Sequence, residues 1–446
     1  MVEIKYVVKR NGSIVPFTPE RISNAIYRAA VAVGGRDRET SEALAAQVVE
    51  QLEAQTPQGV NPTIEQIQDL VEKTLIENGH ARVAKAYILY RDERARQRDK
   101  RAESDQLPSS NIPWAKLWSV LDWSVEHSVH TTAALNEKIR KNELHQIVTA
   151  AEAAYNEDVE NAANMVLARK NEVRMVFIAG PSSSGKTTTT IKLGEKLAAE
   201  GLNLVTLNVD HYFYDLDMHP KDEFGDYDFE TPQALNMALI NEHLVKLFLG
   251  EEVRIPYYDF KTGRSLPDHT PMRLKKNDII LIDSLHGLYP EMTEDIGAEM
   301  KFKLYIEPLL QLKDSKGAYA RWTDIRLIRR MLRDAAHRAY DPTQTLLHWH
   351  YVRSSEMRHI IPFMHTCDTI VSSAMPYELP LYKVKLGAEF KRWSETFAGD
   401  PLRQDAYQRA LRLNDLFNEI EAVADDTIVP ENSVIREFIG GGIYKY

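Results

Sequence analysis

Gly180-Pro-Ser-Ser-Ser-Gly185-Lys186-Thr187 is the feature that leaves this chain the fewest folds to choose from. It fits GxxxxGK[ST], and it stands after the apolar run VRMVFIAG and before an amphipathic segment that reaches Ala199. Such a loop works only as a tight turn from a buried strand into a helix, where backbone N–H groups at the positive helix end converge on a phosphate. Gly180 and Gly185 let the backbone come close, and Ser182, Ser183, Ser184 and Thr188 add donors around it. Lys186 can reach the β and γ phosphates, and the Thr187 hydroxyl can ligate Mg2+. The strand LVTLNVD follows the helix, and VRIPYYD (253–259), DIILID (278–283), KFKLYIE (301–307) and TIVSSA (369–374) are further candidate strands. Strands alternating with helices imply an α/β fold, a P-loop NTPase-type parallel sheet flanked by helices.

Phosphate binding does not name a reaction, so the residues at neighbouring strand ends matter. In an open α/β sheet the carboxyl ends of the strands face the ligand crevice. Asp210, read as the last residue of LVTLNVD, is expected there as the base for an attacking hydroxyl; the alternative is a helix N-cap or a carboxylate standing behind magnesium. Asp283 ends DIILID and has the form of a Walker B acid that holds Mg2+ directly or through water, the alternative being an ordinary strand-end Asp. Helical spacing puts Arg326, Arg330 and Arg333 on one face with Arg329 beside it. A face so cationic is expected to meet phosphates, the alternative being a solvated helix paired with local acids.

The 446 residues suffice for roughly three structural units, and 43% apolar with 27% charged residues permit a packed core. Lys and Arg number 55 against 65 Asp and Glu, a net −10 that disfavours nucleic acid and anionic membranes as partners. No apolar run approaches the roughly 18 residues that cross a bilayer, and the N-terminus lacks a secretory pattern. Cys367, the one cysteine, suits a reducing cytoplasm. Residues 1–95 read as a hairpin turning at Lys9-Arg10-Asn11-Gly12, followed by helices that open at Thr18-Pro19-Glu20, span 38–55, open at Thr63 and span 81–94. The charged stretch 91–105 marks a boundary. The expected organisation is a small, mostly α domain (1–95), a helical linker region (96–170), the P-loop domain (171–395) and a C-terminal helical extension (396–446). The last stretch is expected to complete the fold or to join copies in a homo-oligomer rather than to supply chemistry.

The loop is followed by Asp210-His-Tyr212-Phe213-Tyr214, Phe229-Glu230-Thr-Pro232, Pro256-Tyr-Tyr258-Asp259-Phe260 and Arg329-Arg330-Met-Leu-Arg333-Asp334. From about 173 to 395 these elements, in this order, resemble the uridine kinase and phosphoribulokinase family. The runs GEEVRIPYYDFKTGR, HGL and TDIRLIRRMLRD and the tail NSVIREFIGG are similar to a bacterial uridine-kinase-like branch with an extra N-terminal domain. The resemblance implies a phosphotransferase with ATP as donor, Mg2+ as cofactor and an alcohol, a nucleoside 5′-hydroxyl, as acceptor. By it, Asp210, Lys186, Arg330 and Arg333 are catalytic, Arg338 joins the phosphate-binding lid, Glu230 grips the ribose diol and Tyr258 lines the base pocket. Tyr212, Arg264 and Arg330 complete the substrate side. Uridine kinases usually have Asp at Glu230, Glu-Gly at Asp283-Ser284, His at Gly263 and Arg-Gly-Arg at Arg338-Ala339-Tyr340. The likeness therefore reaches further for phosphoryl chemistry than for uridine.

Val8-Lys9-Arg10-Asn11-Gly12, Phe17, Arg21-Ile22, Thr63-Ile64 and the helix from Ala84 to Arg91 resemble the ATP-cone, a regulatory nucleotide-binding domain. Lys9, Arg10 and Arg91 would supply phosphate charge, Arg21 stands where that family often has Lys, and Asn11 where it has Asp. The implied effector is ATP or dATP. Two other readings stand beside the nucleoside kinase: a kinase of another small alcohol or sugar phosphate, and a nucleotide-sensing regulator whose kinase site has decayed.

Other residues draw attention for less. His286, His348 and His350 favour structural or substrate-contact roles over a zinc site. Cys367 is read as a packing residue, and Trp114, Trp118 and Trp123 as core or domain-interface residues. Arg353, Glu356 and Arg358 are placed on a charged helix surface.

Overall fold

A computed structural model describes residues 4–8, 14–31, 33–35, 37–57, 60–89, 111–220, 227, 229–337, 341–400 and 403–445. They group into two compact units, one within 1–109 and 220–228, the other within 110–219 and 229–446. Lys9, Arg10, Asn11, Gly12, Arg91 and Arg338 lie outside the described residues.

In the first unit β1 (Tyr6–Val8) pairs antiparallel with β2 (Ile14–Pro16), as the hairpin pattern requires. Three helices follow: α1 (Glu20–Val31), α2 (Arg38–Gln55) and α3 (Ile64–Glu77), then α4 over residues 81–89. Thr63 starts α3 with a reciprocal cap. Its hydroxyl accepts from Gln66 N–H at 3.2 Å while its own N–H donates to Gln66 Oε1 at 2.8 Å, so two orphan donors of the first turn are met. Ile22 and Ile26, spaced for one helix face, close on Leu44, Val48, Leu52, Val71 and Leu75 to make the core of this unit.

The second unit begins with α5 (Trp114–Glu126), α6 (Thr132–Arg140) and α7 (Leu144–Ala168). Its sheet has five parallel strands in the order β4 (Asn203–Thr206), β7 (Asp278–Ser284), β3 (Met175–Ala179), β8 (Lys301–Glu307), β9 (Thr369–Ser372). A parallel sheet is covered on both faces, and the alternation along its strands shows it. Val176, Ile178, Ile279 and Leu281 enter one core, while Met175, Phe177, Ile280 and Ile282 enter the other. Helix α8 (Lys186–Ala199) follows the loop, and α9 (Met237–Phe248) covers the second face. Helices α10 (Trp322–His337), α11 (Pro342–His359), α12 (Glu378–Thr396) and α13 (Gln404–Glu419) precede a single turn, α14 (Arg436–Ile439).

Two expectations change, on VRIPYYD and on the tryptophans. VRIPYYD is a strand, β5 (Val253–Asp259), yet it stays out of the parallel sheet and pairs antiparallel with β6 (Arg264–Met272). The sequence of β6 hides it: RSLPDHTPM has two prolines and no apolar run, and its side chains are mostly exposed. The helices read as a linker and as an extension share one core with the sheet, in which Ile147, Tyr155 and Val159 join Val176, Phe390 and Phe417. Asn136 ties them together, donating to Glu419 O at 2.6 Å and accepting from Glu421 N–H at 2.8 Å. Trp114 and Trp118 are 58% and 69% exposed rather than core, and Trp123 stacks on His127.

Candidate functional site

The end of β3 runs straight into the phosphate loop. Gly180 packs so close to Ile306 O that a Cβ has no room, and Gly185 takes a left-handed φ of 92° as it caps α8. Ser183 also has a positive φ of 58°, strain that persists only where surroundings enforce it. The hydroxyls of Ser183 and Ser184 are buried without a hydrogen-bond partner among the described residues.

Register sets the acid beside the loop. Ile178 of β3 faces Asp283 of β7, so the Walker B carboxylate arrives at the start of α8. Thr187 Oγ1 donates to Asp283 Oδ2 at 3.0 Å. Burial raises the Asp283 pKa, and the nearby Lys186 and the Thr187 bond lower it in part. Burial depresses Lys186 against the pull of Asp283 and Glu437, and its ammonium donates to Pro181 O at 3.2 Å. Two adjacent oxygen donors fit Mg2+, which takes one or two protein oxygens and leaves the rest to phosphates and water.

Asp210 is not the end of a strand. β4 stops at Thr206, and Asp210 lies on a short 3-10 turn, Val209–Tyr212, capped by Asn208. It still follows the carboxyl end of β4, with its side chain exposed. β5 packs beside this turn, where Tyr258 N–H donates to His211 Nδ1 at 3.4 Å. Phe213, His219, Phe229, Tyr258 and Phe260 form an aromatic cluster with neighbouring centroids 4.7–6.3 Å apart. The Tyr258 hydroxyl within it is buried and has no hydrogen-bond partner among the described residues. Tyr212 does not join it: the ring is core, its hydroxyl meets His243 Nδ1 at 3.0 Å, and burial drives its pKa far up. Arg264 is exposed at the start of β6, paired with Asp215 at 3.1 Å.

The arginine helix divides. Arg330 links the two sides of the site, donating to Ser182 Oγ at 3.1 Å and to Glu230 Oε1 at 2.6 Å. Arg333 pairs with Asp334 at 3.1 Å. Arg326 and Arg329 are fully buried and serve the fold. Arg326 holds Glu356 with both amino groups at 2.5 and 2.8 Å. Arg329 holds Glu378 at 2.7 and 3.0 Å and the Ser373 carbonyl at 2.7 Å. Arg326 and Arg329 thus leave the cationic face for buried acids, while Arg330 stays at the phosphate loop. Glu356 is accordingly buried, not on a charged surface.

Two residues of the quoted runs HGL and NSVIREFIGG that carry no assigned catalytic or ligand role stand at the site. His286, on the loop after β7, is 3% exposed. Burial lowers its pKa to about 3, helped by His359 and Lys186. Glu437, from the stretch expected to supply no chemistry, reaches the first turn of α8. Only its membership of the tail NSVIREFIGG could have singled it out. His348 and His350 lie against Tyr351 on α11, and half-buried Cys367 has a thiol pKa pushed up to about 11 by burial.

Residues 175–378 match the Phosphoribulokinase / Uridine kinase family model, and residues 5–96 match the ATP cone domain. The chain is 30% identical over 164 residues to a uridine kinase of Bacillus pumilus, covering 37% of this chain and 69% of that one. It is 27% identical over 199 residues to a uridine kinase of Deinococcus deserti, covering 44% and 86%. With uridine kinase-like protein 5 of Arabidopsis thaliana it shares 26% over 198 residues, spanning only 38% of that relative's length. No helix among the described residues is long and apolar enough to cross a membrane.

Proposed function

Since the chain belongs to the phosphoribulokinase and uridine kinase family, a family of phosphotransferases, we propose that it moves the γ-phosphoryl group of ATP to the 5′-hydroxyl of a nucleoside. The observation that carries this reading is Arg330, whose guanidinium spans from the phosphate-loop hydroxyl of Ser182 to Glu230 beside the aromatic cluster. A kinase must hold donor and acceptor in line, and a cation between their subsites neutralises the transferring group.

In this reading Lys186 and Arg330 draw charge from the phosphoryl oxygens, with Arg333 in reach of the same helix face. Asp210 takes the hydroxyl proton, and Tyr258 with its aromatic neighbours receives the base while Glu230 binds the sugar hydroxyls. Thr187 and Asp283 would hold Mg2+, which when bound offsets phosphate charge. The curated relatives named above as uridine kinases favour a nucleoside over a sugar phosphate as acceptor. The ATP-cone is read as a second nucleotide site at which ATP or dATP sets the rate, and the lone cysteine fits work in the cytoplasm.

The test is ADP release from Mg-ATP with a panel of ribo- and deoxyribonucleosides, and with ribulose 5-phosphate and glycerate as competing acceptor classes. One nucleoside should stimulate turnover. Asp210→Asn should cut kcat by roughly 10²–10⁴-fold while nucleotide affinity stays put. Stimulation by a sugar phosphate alone would reassign the acceptor, and no stimulation by any alcohol would leave a nucleotide sensor.

A further inference from the structure

The first turn of α8 is not an open phosphate loop. The N–H groups of Lys186, Thr187 and Thr188 precede the first ladder bond of the helix, which Thr189 N–H makes to Gly185 O at 3.1 Å. Early N–H groups of a helix have no carbonyl to meet and carry partial positive charge, so in a phosphate loop they are donors for an anion. At Thr188 a carboxyl group of the protein itself takes that place. The N–H donates to Glu437 Oε2 at 3.2 Å, and the Thr188 hydroxyl donates to the same oxygen at 2.8 Å.

Glu437 lies 249 residues beyond Thr188 and is 4% exposed, so its place owes nothing to local sequence. The segment around it is seated on the loop. Val434 fills the space that a Cβ on Gly185 would need, at 2.5 Å. The Ser433 hydroxyl meets Tyr377 at 3.2 Å, Arg329 lies over the Phe438 ring, and Arg436 binds the carbonyls of Asp426 and Val429 at 2.9 and 2.6 Å. Lys186 and Arg333 face the carboxylate with opposite charge, and Asp283 with like charge.

One N–H carries one hydrogen, and a carboxylate and a phosphate oxygen repel each other across it. We infer that Glu437 stands in for a nucleotide phosphate and that an incoming nucleotide must displace it from Thr188 to seat fully in the loop. The C-terminal turn α14 is then a plug that sets nucleotide affinity from inside the chain. This rests on the nucleotide reading of the loop and on nothing about the acceptor.

The experiment is calorimetric titration of the full chain with Mg-ADP, in which the binding lost in Lys186→Ala reports the phosphate loop and excludes nucleotide held elsewhere. Glu437→Gln keeps the size and removes the charge. It should bind Mg-ADP about tenfold more tightly, the scale of one charge-assisted hydrogen bond. Equal or weaker affinity at an unchanged melting temperature overturns the plug and leaves the kinase reading standing. No Lys186-dependent binding in either protein sinks both. Should the variant not fold, hydrogen exchange on the wild type decides: Mg-ADP should speed exchange at residues 434–440, and unchanged or slower exchange there overturns the inference.

Discussion

At Gly263 a single backbone angle explains a departure from the family pattern. Its φ is +66°, and a Cβ built there comes within 2.7 Å of Leu216 Cβ, while Gly263 O accepts from Leu216 N–H at 2.8 Å. A histidine at this position, usual in uridine kinases, meets both a left-handed backbone and a filled space. Gly263→His should destabilise by about 1–3 kcal/mol in urea unfolding, with Leu216→Ala recovering part of it. A neutral result would mean that the hairpin end relaxes at no cost. His286 poses the opposite problem, a polar ring shut into an apolar place between Lys186 and His359. Its folded pKa, about 3, lies below the ordinary 6.5, so the unfolded chain binds the extra proton between those values. The stabilising effect is complete above pH 6.5 and is lost as pH falls towards 3, at up to about 1.4 kcal/mol per unit. His286→Phe should flatten the fall of the urea midpoint between pH 6.5 and 4. An unaltered slope would assign that limb to other groups.

At the scale of elements, α10 shows what a sequence can and cannot disclose. Its arginine run is plain to read, yet two of its members turn inward because their partners stand on other helices, Glu356 on α11 and Glu378 on α12. Those partners are 30 and 49 residues away, and no spacing within α10 points to them. The phosphate loop, the antiparallel pairing of β1 with β2 and the Thr63 cap were legible because each is complete within a few residues. Asp283 was legible through its strand, whereas β6 and Glu437 depend on what the chain meets after folding. A buried pair of this kind is costly to break and cheap to replace. Glu378→Gln should cost about 3–5 kcal/mol by leaving Arg329 charged and unpaired. Arg329→Met with Glu378→Leu should restore most of that. Equal losses in the single and double variants, measured by guanidinium unfolding, would locate the energy in packing instead.

For the whole molecule the decisive fact is that the core of the N-terminal unit shares no residue with those of the sheet unit. The core of the N-terminal unit runs from Ile4 to Tyr87, while the cores beneath and above the sheet begin at Val129. Apolar burial is worth about 25 cal/mol per Å2, and each core collects it from its own helices. Removing residues 1–109 therefore takes no side chain from the sheet cores, from Thr187 and Asp283, or from the Arg330 bridge. The truncated chain should melt within a few degrees of the corresponding transition in the full chain and should keep Lys186-dependent turnover. What it should lose is any response of that turnover to dATP, because an effector acts only through a site that binds it and a state it favours. The full chain supplies the reciprocal check: if dATP changes the apparent affinity for the acceptor, the acceptor must change the affinity for dATP by the same factor. Retained dATP sensitivity after truncation would place the effector at the phosphate loop itself, where competition with ATP would abolish it at saturating donor. Loss of the sheet unit's melting transition would show that the N-terminal unit stabilises it, and the ATP-cone would then be structural before it is regulatory.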